Sequence, residues 1–157
     1  MIAFLAGDAS LPVGDGARII IHVCNDMGAS GKGFVLAISK RWKAPEEAYR
    51  RWHKNGGGQP FGLGQVQFVE VQTDLWVANL IGQIGIGSSR GRPPIRYEAI
   101  REGLQRVAEF AAKQAASVHM PRIGCGLAGG RWEDIEPLVE QFLSAANVRV
   151  TVYDLAG

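Results

Sequence analysis

The residues of this chain best suited to chemistry sit in three glycine-rich loops. The first, residues 25–33, reads Asn-Asp-Met-Gly-Ala-Ser-Gly-Lys-Gly and follows an apolar run. The second, residues 82–91, holds Gly82, Gln83, Gly85, Gly87, Ser88, Ser89 and Arg90. The third, residues 124–130, reads Gly-Cys-Gly-Leu-Ala-Gly-Gly. Glycine lets backbone N–H groups approach a phosphate closely. A helix N-terminus behind such a loop adds oriented dipoles. Two strand–loop–helix units of this kind can hold a diphosphate between them, although a tight connection is an equal account of any one loop. The P-loop spacing is absent, since no Gly-Lys-Ser/Thr ends a Gly-x4 run, and so is the Rossmann fingerprint with its acidic partner. Lys32 can meet a phosphate, although a solvated lysine is the plainer account. His22 and Asp26 flank Asn25 as candidate acid or base, with a turn role an equal account of Asp26. His22 follows a buried apolar run, so a core histidine with a satisfied ring is its plainer account.

These loops need elements to position them. Strands are expected over residues 2–5, 18–24, 64–71, 75–81, 117–121 and 148–153. Residues 19–21 and 76–81 are almost continuously apolar, which suits strands covered on both faces. Helices are expected over 33–42, 45–53, 95–115 and 132–146. Ile100, Leu104, Val107 and Ala111 form one stripe at helical spacing, as do Ile135, Leu138, Val139 and Phe142. Pro137 fits if it lies near the first turn of the last helix, where backbone N–H groups lack helical partners. Alternating strands and helices give a three-layer α/β/α sandwich with a mixed central sheet of about six strands. Ligands of such sheets bind beyond the carboxyl ends of the strands, where these loops lie.

At 157 residues, the chain is expected to be one domain over 1–157. Its net charge of +2 makes no electrostatic case for bulk nucleic-acid binding. Arg90, Arg92 and Arg96 border the second loop and leave a local contact with nucleic acid or an acidic peptide open. The basic stretch Arg41, Arg50, Arg51 and Lys54 reads as a solvated face, and the scattered tryptophans as packing. Cys24 and Cys125 are simplest as reduced thiols, with a disulfide left open. No Cys/His cluster has zinc-site spacing, so no metal and no cofactor are expected. The start lacks a basic region and a signal-length apolar core, and no apolar run reaches ~18 residues. A cytoplasmic, membrane-free and preferably monomeric protein is the resulting expectation.

Four stretches carry a family resemblance. They are Gly7-Asp8, His22-Val23-Cys24-Asn25, Met120-Pro121-Arg122-Ile123-Gly124-Cys125-Gly126-Leu127, and the ending Thr151-Val152-Tyr153-Asp154-Leu155. Together they resemble the macro domain, from about residue 2 to residue 155. Within that family the chain looks most similar to the branch of the terminal ADP-ribose protein glycohydrolase and its bacterial relatives. The resemblance implies the macro-domain fold and a site for ADP-ribose or an ADP-ribosylated protein. It implies that Asp8 accepts a hydrogen bond from the adenine amino group. It places Asn25 and the backbone of Ser30, Gly31 and Gly33 around the distal ribose. Gly124, Cys125, Gly126, Leu127 and Ala128 would wrap the diphosphate. Tyr153 and Leu155 would lie near the adenine, although a strand-end core aromatic is an equal account of Tyr153.

The same resemblance makes catalysis a separate question. That branch is thought to use a lysine nucleophile and an assisting aspartate. The matching positions here are Gln83 and Ala128. A lysine-adduct mechanism is therefore not expected. Gln83 can still orient a water, with Asn25 and Asp26 as further catalytic candidates. The expected activity is release of ADP-ribose from an ester-linked glutamate or aspartate. A non-catalytic ADP-ribose reader and an ADP-ribose-1''-phosphate phosphatase are the alternatives.

Overall fold

The computed structural model describes residues 1–30, 33–56, 58–87 and 91–155. In chain order the elements are β1 (Ile2–Ala6), β2 (Arg18–Asn25), α1 (Phe34–Arg41), α2 (Ala44–Asn55), β3 (Val66–Gln72), β4 (Leu75–Gln83), α3 (Tyr97–Gln114), β5 (Ser117–Met120), α4 (Trp132–Phe142) and β6 (Val150–Asp154). One six-stranded sheet runs in the order β1-β6-β5-β2-β4-β3. Every neighbouring pair is parallel except β3 with β4. The carboxyl ends of β1, β2, β4, β5 and β6 therefore share one edge.

The central strands show why the layers form. Ile19, Ile20 and Ile21 are each fully buried. Ile19 and Ile21 pack with Leu80, Ile100, Leu104 and Ile135 beneath α3 and α4. Ile20 points the other way, onto Ile38 of α1. Strand alternation thus sends successive isoleucines into opposite layers. Each such burial contributes ~1.5–3 kcal/mol.

Two helix ends differ from the sequence expectation. Pro137 lies within α4, as its sixth residue, rather than in the first turn. It forgoes the hydrogen bond to the carbonyl four residues back, and the buried Ile135 and Val139 hold the helix regardless. The helix also stops at Phe142 and not at residue 146. Ser144–Ala146 tighten into a 3-10 turn, and Asn147 adopts φ 65°. Val148 N–H then closes onto the Leu143 carbonyl at 3.0 Å. Likewise α3 starts at Tyr97, because Ile95 pairs with Gln83 in an antiparallel bridge.

Loop 7–17 is tied to the sheet by a buried chain of polar groups. Val13 N–H donates to the Tyr153 hydroxyl at 2.9 Å, which lies 2.7 Å from His119 Nδ1. His119 Nε2 lies 2.8 Å from Ser117 Oγ. Burial, with Arg18 and Arg149 nearby, pushes the His119 pKa from 6.5 down to about 4. The folded protein keeps this ring neutral where the unfolded chain takes up a proton. Stability is therefore complete above the unfolded value of 6.5 and declines as pH falls from there toward 4. Unfolding at pH 5 should cost about 2 kcal/mol less than at pH 7 from this residue alone. Thermal melts at the two pH values check it, and His119→Gln should remove part of that slope. An equal slope in the variant refutes the assignment.

Among the described residues, no helix is long and apolar enough to cross a membrane. No group of three or more His, Cys, Asp or Glu among them is placed to hold a metal ion. Cys24 and Cys125 are both free thiols.

Candidate functional site

A cleft of about 730 Å³ opens at the carboxyl ends of β2, β4 and β5. Its size falls within the ~300–1,000 Å³ of small-molecule sites. His22, Asn25, Ser30, Gly33, Gln83, Gly124, Gly126, Leu127 and Ala128 all line it. The three glycine-rich loops thus converge on one space. Gly31, Lys32, Ser88, Ser89 and Arg90 lie outside the described residues.

The cleft is rich in backbone donors. Gly33 caps α1 with φ 80° and supplies no capping side chain. The first turn of α1 has no acidic residue, whereas α2, α3 and α4 carry Glu46 and Glu47, Glu98, and Glu133 and Asp134 there. The positive end of the α1 dipole is left bare at the cleft. In the third loop, Gly130 N–H bonds Gly124 O at 2.7 Å and Gly129 N–H bonds Gly126 O at 3.0 Å. These bonds curl the loop. The N–H groups of Gly126, Leu127 and Ala128 donate to no acceptor among the described residues, nor do those of Ile86 and Gly87. Such a cradle of unmet N–H groups suits an anion with several oxygens.

The expected catalytic residues are brought together but tied down. Asn25 pairs in register with Gln83, after a shift between Cys24 and Asn25. Asn25 Oδ1 accepts from Met27 N–H at 2.9 Å, Ala29 N–H at 3.2 Å and the Tyr49 hydroxyl at 2.7 Å. Its Nδ2 donates to Ala29 O at 2.7 Å. Asn25 therefore organises its own loop. Burial raises the Tyr49 pKa, so its hydroxyl remains a donor. Asp26 N–H bonds Gln83 O at 3.1 Å, and Asp26 Oδ1 accepts from Gly85 N–H at 2.8 Å. That carboxylate staples the first loop to the second. Gln83 Nε2 donates to Gly85 O at 3.0 Å, and its Oε1 has no protein donor among the described residues. Ser30 Oγ donates to Glu46 at 2.6 Å and accepts from Arg50 at 2.9 Å.

Ile95 lies between Gln83 and Ala128. Ile95 bridges to Gln83 and donates its N–H to Ala128 O at 3.0 Å. The two positions at which the chain departs from that branch therefore flank Ile95, and both line the cleft.

Three expected adenine contacts lie elsewhere. Asp8 faces a second hollow, between loop 7–17 and the far end of α1. Its Oδ1 accepts from Ser10 N–H at 2.8 Å and Ser10 Oγ at 2.7 Å, and its Oδ2 lies 3.8 Å from Arg41. The Ser10 hydroxyl bond, more than the Arg41 charge, holds the carboxyl below its usual range. Tyr153 is buried with its hydroxyl committed to Val13 and His119, and Leu155 is exposed. Neither of these two lines the cleft, and nor does Cys125.

Other lining residues were not singled out by sequence. Tyr49 is fixed by α2, and Phe34 by the first turn of α1. Arg122 is held by a two-pronged ion pair to Asp154 at 2.7 and 3.0 Å. Its guanidinium lies 5.3 Å from the Phe4 ring centroid and 5.3 Å from that of Trp132. The ion pair raises its pKa. Its place in the Met-Pro-Arg stretch was the available signal.

Known proteins are similar to this chain in sequence and fold. No family model matches the chain. The bovine ADP-ribose glycohydrolase OARD1 is 37% identical over 137 residues, covering 87% of this chain and 81% of that protein. The chromodomain-helicase-DNA-binding protein 1-like of zebrafish is 29% identical, and the chain spans only 15% of its length. Among solved structures, a macrodomain protein from Streptomyces coelicolor is 51% identical, with TM-score 0.87, covering 99% of this chain and 100% of that one. Thermosipho africanus DarTG in complex with ADP-ribose shares the fold at TM-score 0.71 and 18% identity, over 87% of this chain and 38% of that one. With identity of this level over most of both partners, and the fold shared at TM-score 0.87, the chain belongs to the macrodomain family.

Proposed function

We propose that the cleft binds ADP-ribose and that the protein releases ADP-ribose from an ester-linked acidic side chain. One observation carries the binding half. Residues of two loops whose N–H groups have no partner among the described residues, and the bare N-terminus of α1, line one cleft. A diphosphate supplies the matching acceptors. The ADP-ribose glycohydrolase OARD1, similar over most of its length, supports the chemical half.

The chemistry asks little of the protein. Gln83 Oε1 can accept a hydrogen bond from water beside the anomeric carbon. The water oxygen bonds to that carbon as the C–O bond to the acyl group breaks. The bonding pair leaves with the carboxylate, which needs little acid assistance, and the water proton passes to a phosphate oxygen of the ligand. Ala128 leaves no carboxylate at its corner to take that proton. Incubation with glutamate-ADP-ribosylated protein should release free ADP-ribose. Gln83→Ala should cut turnover by about 10-fold or more while changing affinity less than 3-fold, if positioning water is its task. Loss of neither refutes that role.

A second reading, a non-catalytic reader, is favoured by one observation. Asn25 and Asp26 spend their side chains on loop contacts rather than on the cleft. Binding of ADP-ribose without release selects it. Asp8→Ala should weaken ADP-ribose binding about 10-fold in either case if Asp8 reads adenine. Unchanged affinity in a calorimetric titration overturns that assignment.

A further inference from the structure

The hollow beside α1 has a volume of about 730 Å³ and shares no lining residue with the cleft. It reaches Arg18 and Leu75, the first residues of β2 and β4, whereas the cleft lies at the carboxyl ends of the same two strands. Three cations line it, Arg18, Lys40 and Arg41, against one carboxylate, Asp8. Three positive charges against one negative leave +2. The Asp8–Arg41 pair is loose, at 3.8 Å, and Asp8 Oδ1 is taken by Ser10. Neither Arg18 nor Lys40 pairs with a carboxylate among the described residues. Lys40 and Arg41 have a plain account, since cations in the last turn of α1 suit its dipole. That account does not reach Arg18, which comes from β2 and lines the same hollow. Arg18 is half-buried, and its Nη1 donates to Pro12 O at 2.7 Å. Its Nε is buried with no partner among the described residues. A partly buried cation with unmet donors and no counter-charge is destabilising in the empty protein.

We propose that this hollow is a second ligand site, for a small phosphate monoester with an apolar or aromatic body. A phosphate monoester is close to a dianion at neutral pH, which matches the net charge of the lining. Guanidinium and ammonium groups together supply the donors that its oxygens accept. A carboxylate ligand, with a single charge, leaves half of that balance unmatched. The volume is that of a site for a small organic molecule rather than for a bare phosphate. The remaining wall is apolar, with Leu11, Trp42 and Leu75 in it. Leu11 is 56% exposed, and an apolar ligand body seated there removes part of that surface from water. The site is independent of what the cleft binds.

The test is a titration of the 15N-labelled full chain with phenyl phosphate, followed through its amide resonances. The amides of Leu11, Arg18, Lys40, Arg41 and Trp42 should move together and saturate with a Kd of about 1 mM or below. Inorganic phosphate, which lacks the body, and benzoate, which lacks the second charge, should each bind about 5-fold or more weakly. Lys40→Met should weaken phenyl phosphate about 10-fold, and Arg18→Met by at least as much. Lys40 is exposed, so its variant decides should Arg18→Met fail to fold. No movement of these amides at about 20 mM phenyl phosphate, movement confined to residues 124–130, or equal affinity in the Lys40→Met protein overturns the proposal. The cleft residues report on ADP-ribose through their own amides, so this site and the cleft reading fail separately.

Discussion

Replacing Gly130 with alanine should lower stability by about 1–3 kcal/mol and remove most of the affinity for ADP-ribose. A Cβ at Gly130 would stand 2.5 Å from the Gly124 carbonyl oxygen and 2.8 Å from Ile95 Cδ1. The isoleucine tip can swing away. The carbonyl cannot, because it is held by the Gly130 N–H at 2.7 Å, the bond that curls the loop. Relieving the clash means opening that curl and displacing the N–H groups of Gly126, Leu127 and Ala128. Gly126→Ala is the control, since nothing lies within 4 Å of a Cβ there. It should leave the melting temperature nearly unchanged. Gly130→Ala should melt lower by roughly 2–4 °C per kcal/mol lost. A Gly130→Ala protein that binds ADP-ribose as tightly as its parent would falsify the cradle.

The second large effect is on stability and lies deeper. Asn79 is 1% exposed and serves three partners at once, His22, Gln67 and the Pro45 carbonyl. Leucine fits the space and offers none of their hydrogen bonds. Each partner left unmet in the interior costs ~1–3 kcal/mol. Asn79→Leu should therefore lose on the order of 3 kcal/mol, a fall of roughly 6–12 °C in melting temperature for a domain of this size. The loss is specific to the polar network. Ala78→Gly, one residue away on the opposite face, removes a methyl group without touching it. A melting temperature within 2 °C or so of the parent for Asn79→Leu would show that the network contributes little.

Much of the fold was legible because period and burial agree. The isoleucine run at 19–21 suits a strand covered on both faces, and all three residues are fully buried in β2. The stripe Ile100, Leu104, Val107 and Ala111 could only be one face of a helix, and all four are buried in α3. Helix ends were less legible, because they depend on single contacts. Ile95 lies in the expected helical run but is claimed by Gln83, a partner twelve positions earlier. Pro137 was accommodated one turn further into α4 than local rules place it, since tertiary burial of Ile135 and Val139 outweighs one lost hydrogen bond.

The glycine loops divide in the same way. Their composition, and their position after apolar strands, pointed to one sheet edge, and residues of all three line one cleft there, because glycine content and strand order act locally. The sequence alone also set the departures at Gln83 and Ala128. Tertiary structure decided which polar side chains remain available to a ligand. Asn25 and Asp26 looked like cleft groups and are largely spent on the loops. Tyr153 read equally as a ligand contact or a core aromatic, and it is buried with its hydroxyl bonded to Val13 and lying beside His119. His22 reads as a core residue and is buried, its ring bonded to Asn79, 57 positions away. Hydrogen-bond satisfaction is a property of the whole packed interior, summed over partners distant in sequence. No local pattern of residues encodes that sum.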